Sequence, residues 1–203
     1  MDYRIYHAIN VFVSHHAWLG RALSFAETWA VPLIAIATVS LWLFARPGGD
    51  RKWKLASASA LCGAAVGLLV NQIIGKIWHR PRPFAAHPGA HVWGSRSHDP
   101  SFPSDHASAA FGIAFAVFLY DRVVGSFFLA AAAFIAVGRV FIGAHYPADV
   151  IAGCLVGFGV AFLVVRVGRP VVLAAVKIVE RVTDPILHRL FWRRRSLPRT
   201  ETA

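Results

Sequence analysis

Apolar residues gather along the chain into five long runs: 22–45, broken only by Glu27, then 55–75, 107–120, 123–138 and 150–165. Each run can form a membrane-spanning helix. The last three are shorter than the about 20 residues needed to cross hydrocarbon, so their helices must extend into the polar groups at their ends. Those end groups then sit near the membrane surface or in a protein-lined pocket. The pattern predicts spans near 22–45, 55–77, 104–120, 123–141 and 147–167. The expected fold is all-α: a polytopic membrane helix bundle of five transmembrane helices, residues 1–169 forming one embedded domain. An amphipathic helix over 1–20 precedes the spans. A second amphipathic, basic segment over 170–203 follows them; with Lys177, Glu180, Arg181, Asp184 and Arg189 it is too charged to span and is expected to lie on the inner surface against anionic lipid.

Composition agrees with this pattern: 57% of the 203 residues are hydrophobic and 15% charged, a balance unusual for a soluble domain. The opening residues carry early charges and no small-residue cleavage site, so no removable signal peptide is expected. Cys62 and Cys154 lie alone in separate apolar runs, which implies small packing residues and no disulfide. If the five spans alternate, one face receives Arg46, Arg51, Lys52, Lys54, Asp121, Arg122, Arg166, Arg169 and the basic run 193–195. Short Lys/Arg-rich connections mark the cytoplasmic side, which leaves the N-terminus outside and the C-terminus inside. The net charge of +11 is thereby accounted for by membrane orientation, and no nucleic-acid-binding module is expected.

The opposite face collects "KIWHRPRPF", the loop 85–102, "PSDH" and "GRVFIGAHYPAD". In "FPSDHASAAF" a proline in the first turn and a Ser or Asp cap predict a helix start whose free amides and dipole favour an anion. An ordinary cap is the plainer account of Ser104 by itself. In "GAHYPAD", Pro147 starts the next helix, and Asp149 lies four residues after His145, within reach of one imidazole nitrogen. Such a bond fixes the tautomer and leaves the other nitrogen free to attack, although a capping aspartate beside a surface histidine would have the same sequence. Arg82, between two prolines, and Arg139 can present planar donor forks to phosphate oxygens. Phosphoryl transfer needs mainly positioning and charge neutralisation, so two arginines, a helix start and a histidine suffice, with His106 to protonate the leaving group. No cofactor or metal is required by this scheme.

These three segments resemble, in order and spacing, the signatures of the type 2 phosphatidic acid phosphatase superfamily, and they cover residues 76–149. "MDYRIYHAIN" with "SHH", the Glu27–Thr28 pair and "RPRPFAAH" are further similar to its bacitracin-resistance branch of undecaprenyl-diphosphate phosphatases. The resemblance implies His145 as a nucleophile forming a phosphohistidine, Asp149 as its orienter, and His106 as acid and then base. It implies a phosphate-binding set of Arg82, Ser104, Arg139, Lys76, Gly143 and Asp105, with Gly143 allowing close backbone approach. Lys76 departs from the signature: seven residues before Arg82 stands Gly75, which leaves Lys76 either a phosphate ligand or a snorkelling anchor and offers Arg80 as its substitute. Glu27, an ionisable group inside the first span, belongs near the site or snorkels to the interface. Asn71 and Gln72 are expected to bond between helices.

The implied substrate is an isoprenoid diphosphate lipid reached from the bacterial inner membrane's outer leaflet; the implied role is recycling of the cell-wall carrier, with bacitracin tolerance. Alternatives are another lipid phosphate (phosphatidic acid, phosphatidylglycerol phosphate or lipid A) and, from another class, a small transporter, which the lack of an internal repeat disfavours. A metal-dependent hydrolase would use His87, His91, His98 and Asp99, but "AAHPGAHVWG" holds Pro and Gly and does not read as a helix presenting both rings, so a loop gating the substrate is the simpler account. The oligomeric state does not follow from the sequence.

Overall fold

A computed structural model describes residues 2–45, 47–94 and 96–191, which leaves Arg46 and the basic run 193–195 outside the described residues. The described chain is helical without strands: α1 (Asp2–His15), α2 (Ala17–Leu43), α3 (Lys52–Ile77), α4 (Pro83–Ala86), α5 (Asp105–Tyr120), α6 (Arg122–Phe141), α7 (Pro147–Arg166) and α8 (Arg169–Phe191). Four of these, α2, α3, α6 and α7, are long and apolar enough to cross a membrane, and α5 is a shorter apolar helix.

The centre of the bundle is α5, which packs on α3, α6 and α7. Its inner face is built of small residues, Ala107, Ser108, Ala110 and Ala114, all essentially solvent-free, so neighbouring backbones approach closely. A Cβ at Gly153 would lie 2.6 Å from the Ser104 carbonyl, and one at Gly157 would lie 2.6 Å from that of Ser108. Gly63 faces Gly112 in the same way. Large apolar side chains such as Phe25, Phe127 and Leu155 point outward, the inverse of a water-soluble core and the arrangement lipid requires. Cys154 is half-buried against a packed cluster, whereas Cys62 is exposed on that outer surface and not in the core as expected.

At one end the connections are knitted by ions. Lys54, 1% exposed, donates to Glu180 and Asp184; Arg51 also holds Glu180, and Lys52 holds Asp121. These pairs bind α8 to α3 and fasten the α5–α6 corner, while Val172 and Val176 pack on Leu55. Asp121 also caps α6 by accepting from the Val124 amide, and the Lys52 ammonium keeps its carboxyl below the usual range.

At the other end the sequence reading needs one correction. The segment expected as one helix over 1–20 breaks at His16, and α1 buries Tyr6, Asn10 and Val13 within the protein. The 85–102 loop is pinned at three points. Asn10 exchanges two hydrogen bonds with the backbone of His91, Trp93 donates its amide to Ile142, and the Trp93 ring covers Gly20, where any Cβ would overlap it.

Candidate active site

The α7 start builds one side of the site. Pro147 occupies the first helical position, where its missing N–H costs no hydrogen bond. Asp149 reaches back to accept from the Tyr146 amide at 3.0 Å. Its carboxylate is fully buried and also accepts from Arg80 at 2.6 Å and from the Ser101 hydroxyl at 2.5 Å. Asp149 is thus saturated by partners other than the histidine. Its Oδ2 stands 3.8 Å from Nδ1 of His145, too far for the expected hydrogen bond. Instead Nδ1 donates to the Ser101 carbonyl at 2.8 Å. Nε2 accepts from Arg82 Nη1 at 3.2 Å, which assigns the proton to Nδ1 and the lone pair to Nε2. Burial, reinforced by Arg139 and Arg82 and opposed by Asp149, pushes the His145 pKa down to about 4, so the ring is neutral at physiological pH.

Arg82 is aimed by its neighbours. Nε donates to the Asp99 carbonyl at 3.0 Å and Nη1 approaches the Ala144 carbonyl at 3.4 Å. Burial and then the nearby Arg139 cation lower its pKa from the ordinary value. Arg139, on the last turn of α6, donates to Glu27 of α2, a buried ion pair that fixes the guanidinium at the cavity wall. One Glu27 oxygen and the Arg139 Nε are left without a protein partner. Glu27 is therefore in the interior and does not snorkel.

Arg82, His106, Arg139, His145, Asp105 and Glu27 line one cavity of about 500 Å³. This pocket brings two guanidinium groups and two imidazole rings together, one ring with a free Nε2 lone pair, a set whose charge suits a phosphoryl group. Other expected residues fall elsewhere. Ser104 supplies no side-chain cap to α5, and Pro103 precedes the helix instead of opening it; the Ser104 hydroxyl is fully buried without a partner and lies off the cavity. Asp105 accepts from Asn71 at 2.8 Å, and Asn71 also bonds Ser108, which ties α3 to α5 as expected. Gly143 has φ +82°, and a Cβ there would meet the His91 carbonyl at 2.2 Å; the close approach it permits is to the loop, not to the cavity. Lys76 is exposed in a separate cleft beside Gln72, His79 and Phe102.

Arg80, offered by the sequence as the substitute, lies between two carboxylates, Asp149 and Asp2, and over the Tyr146 ring at 4.0 Å. Burial opposes its charge, but the hydrogen bonds and charges of Asp2 and Asp149 outweigh it, so its pKa is raised. Sequence reasoning missed Ser101 and Asp2. Ser101 stands three residues before Ser104 in a non-helical stretch, with proximity to the "PSDH" segment as its single signal. His87, His91, His98 and Asp99 do not converge; among the described residues no group of three or more His, Cys, Asp or Glu is placed to hold a metal.

Known proteins carry the same architecture. The chain is 30% identical to the undecaprenyl-diphosphatase BcrC of Bacillus subtilis over 92% of its length and 95% of that protein's. It is 29% identical to a putative undecaprenyl-diphosphatase, YbjG, of Escherichia coli over 77% of each chain. Among solved structures, Aquifex aeolicus LpxE superposes with a TM-score of 0.60 at 21% identity, over 81% of this chain and 94% of that one. The PAP2-type phosphatidylglycerolphosphate phosphatase of Bacillus subtilis does so with 0.60 at 20%, over 80% and 82%. Residues 53–172, which run from the start of α3 to the start of α8 and contain the whole cavity apart from its α2 wall, match the PAP2 superfamily model, and this multi-pass membrane protein belongs to that superfamily.

Proposed function

We propose that the protein hydrolyses undecaprenyl diphosphate to undecaprenyl phosphate and inorganic phosphate through a phosphohistidine. The observation that carries the chemistry is the convergence of Arg82, Arg139, His106 and the Nε2 lone pair of His145 on a single cavity. The substrate class rests on the relatives named undecaprenyl-diphosphatase, one of them matched over nearly its full length.

In this reading Arg82 and Arg139 bind the non-bridging oxygens of the terminal phosphate and neutralise charge as it develops there. Arg139 exchanges part of its contact with Glu27 for phosphate. Nε2 of His145 attacks phosphorus in line, the bond to the bridging oxygen breaks, and His106 gives that oxygen a proton as the lipid monophosphate departs. The positive charge on the phosphorylated ring is met by the Ser101 carbonyl at Nδ1–H and by the nearby Asp149 carboxylate. His106, now neutral, takes a proton from water; the oxygen attacks phosphorus, the P–N bond breaks and phosphate leaves. Asp105 and Ser104 shape the helix start behind His106, Gly143 lets the loop approach closely, and Lys76 stays outside the cavity in its own cleft. The site faces the outside of the bacterial inner membrane, where recycling of the carrier lipid supports cell-wall synthesis and lowers the amount of diphosphate available to bacitracin.

Phosphate release by purified protein in detergent with EDTA tests the reading. Undecaprenyl diphosphate is expected to be hydrolysed faster than phosphatidic acid or phosphatidylglycerol phosphate. His145→Ala is expected to abolish turnover, and His106→Ala to lower kcat by about 10²–10⁴-fold. Turnover that survives His145→Ala overturns the nucleophile, and a preference for a glycerolipid overturns the substrate.

A further inference from the structure

Asp2 opens α1, yet its side chain reaches the far side of the catalytic histidine's support. Its Oδ2 accepts from Arg80 Nη2 at 2.6 Å, and its Oδ1 accepts from the Ala148 amide at 3.0 Å, in the first turn of α7. Arg80 completes the link, with Nη1 on Asp149 Oδ1 at 2.6 Å. The link is held in place by rings: Arg80 lies over Tyr146, and Tyr6 of α1 meets Tyr146 edge-on at 5.4 Å. Asp2 and Arg80 side chains are each about three-quarters shielded, 25% and 26% exposed, so their charges are only partly screened.

The charge count gives the arrangement its meaning. Arg80 alone against Asp149 would make a neutral pair and cancel the carboxylate's influence on His145. With Asp2 on the same guanidinium, two carboxylates share one cation and the group keeps a net charge of −1. That charge lies beside Nδ1 of His145, 3.8 Å from Asp149, where the ring becomes cationic during transfer. We propose that Asp2 is a positioning residue for phosphoryl transfer: through Arg80 it keeps Asp149 oriented and effectively anionic, and so makes α1 part of the active-site assembly. The proposal rests on the phosphohistidine reading above.

The test uses the full chain in detergent with undecaprenyl diphosphate as substrate. Asp2→Asn keeps an oxygen for the Ala148 amide but removes the charge and the acceptor facing Arg80, while Asp2→Glu keeps both; thermal unfolding confirms that each variant is folded. Asp2→Asn is expected to lower kcat about tenfold with KM unchanged, and Asp2→Glu to recover most of that loss. In an Arg80→Gln background the same Asp2→Asn change is expected to have no further effect, because the charge acts through Arg80. If Arg80→Gln is inactive, the contrast of Asn with Glu decides alone. An unchanged kcat in Asp2→Asn, an effect confined to KM, or an equal loss in both backgrounds overturns the proposal. Turnover that survives His145→Ala overturns the phosphohistidine reading and this proposal together, whereas an inactive His145→Ala with a fully active Asp2→Asn overturns this proposal alone.

Discussion

His145 is held neutral by its surroundings, and this has a consequence for stability as well as for reactivity. Its pKa is near 4 in the folded protein against an ordinary value of 6.5. Between those two values an unfolded chain binds a proton at this position that the folded chain does not. Stability contributed by the neutral ring is therefore complete above about pH 6.5 and is lost progressively as pH falls toward 4. Thermal unfolding in detergent at pH 7, 5.5 and 4.5 should show wild type losing stability relative to His145→Gln across that interval, since the amide does not titrate; parallel losses would refute the assignment. The residue proposed as nucleophile could be picked out from "GAHYPAD" because attack on phosphorus would restrict which residue types can serve, and the two arginines that line the same cavity could be picked out from their prolines and helix end. The partner of Nδ1 could not: it is a backbone carbonyl, at Ser101, and any residue type supplies one. The pairing of Asp2 with Arg80 was equally hidden, since it spans 78 residues and depends on where α1 folds back.

The element at the centre of the bundle is α5, and its position depends on side chains that are absent. Opposite Gly157 of α7, the α5 backbone is so close that a Cβ would lie 2.6 Å from the Ser108 carbonyl and 2.8 Å from the Gly112 amide nitrogen. Gly159, two residues on, has nothing within 4 Å. Gly157→Leu should therefore push α7 from α5 and destabilise the fold by at least about 1–3 kcal/mol, with loss of activity, whereas Gly159→Leu should leave both nearly unchanged. Melting temperatures of the two purified variants check this; equal shifts would mean that helix propensity, not contact, is at work. The five apolar runs were visible in the sequence, because lipid imposes a length and a composition on every span. The helix ends were less visible. Pro103 and Ser104 look like the opening of a helix, but Ser104 gives its amide to the Asp149 carbonyl and leaves its hydroxyl without a partner, so tertiary contact decides the cap. The break at His16 has the same origin, since α1 turns to bury Tyr6 and Asn10.

At the scale of the whole molecule the two ends of the bundle differ in chemistry. One end carries Arg51, Lys52, Lys54, Arg122, Arg166 and Arg169 at the ends of the apolar helices, several of them locked in ion pairs with Asp121, Glu180 and Asp184. The other carries the cavity lined by Arg82, Arg139, His106 and His145, and the pinned loop. An excess of Lys and Arg in short connections favours the cytoplasmic side for such an end, and the proposed outward-facing site follows from that rule. Single cysteines placed in a background lacking Cys62 and Cys154 would report this directly. His98, exposed on the loop, and Lys177, exposed on α8, lie on the two ends, and neither lines the cavity. His98→Cys should react with a membrane-impermeant maleimide added to intact cells, and Lys177→Cys should react only after the membrane is opened. The reverse pattern would place the cavity inside, where a diphosphate released on the outer surface could reach it only after crossing the membrane, and would overturn the proposed role in carrier recycling while leaving the phosphoryl-transfer chemistry intact.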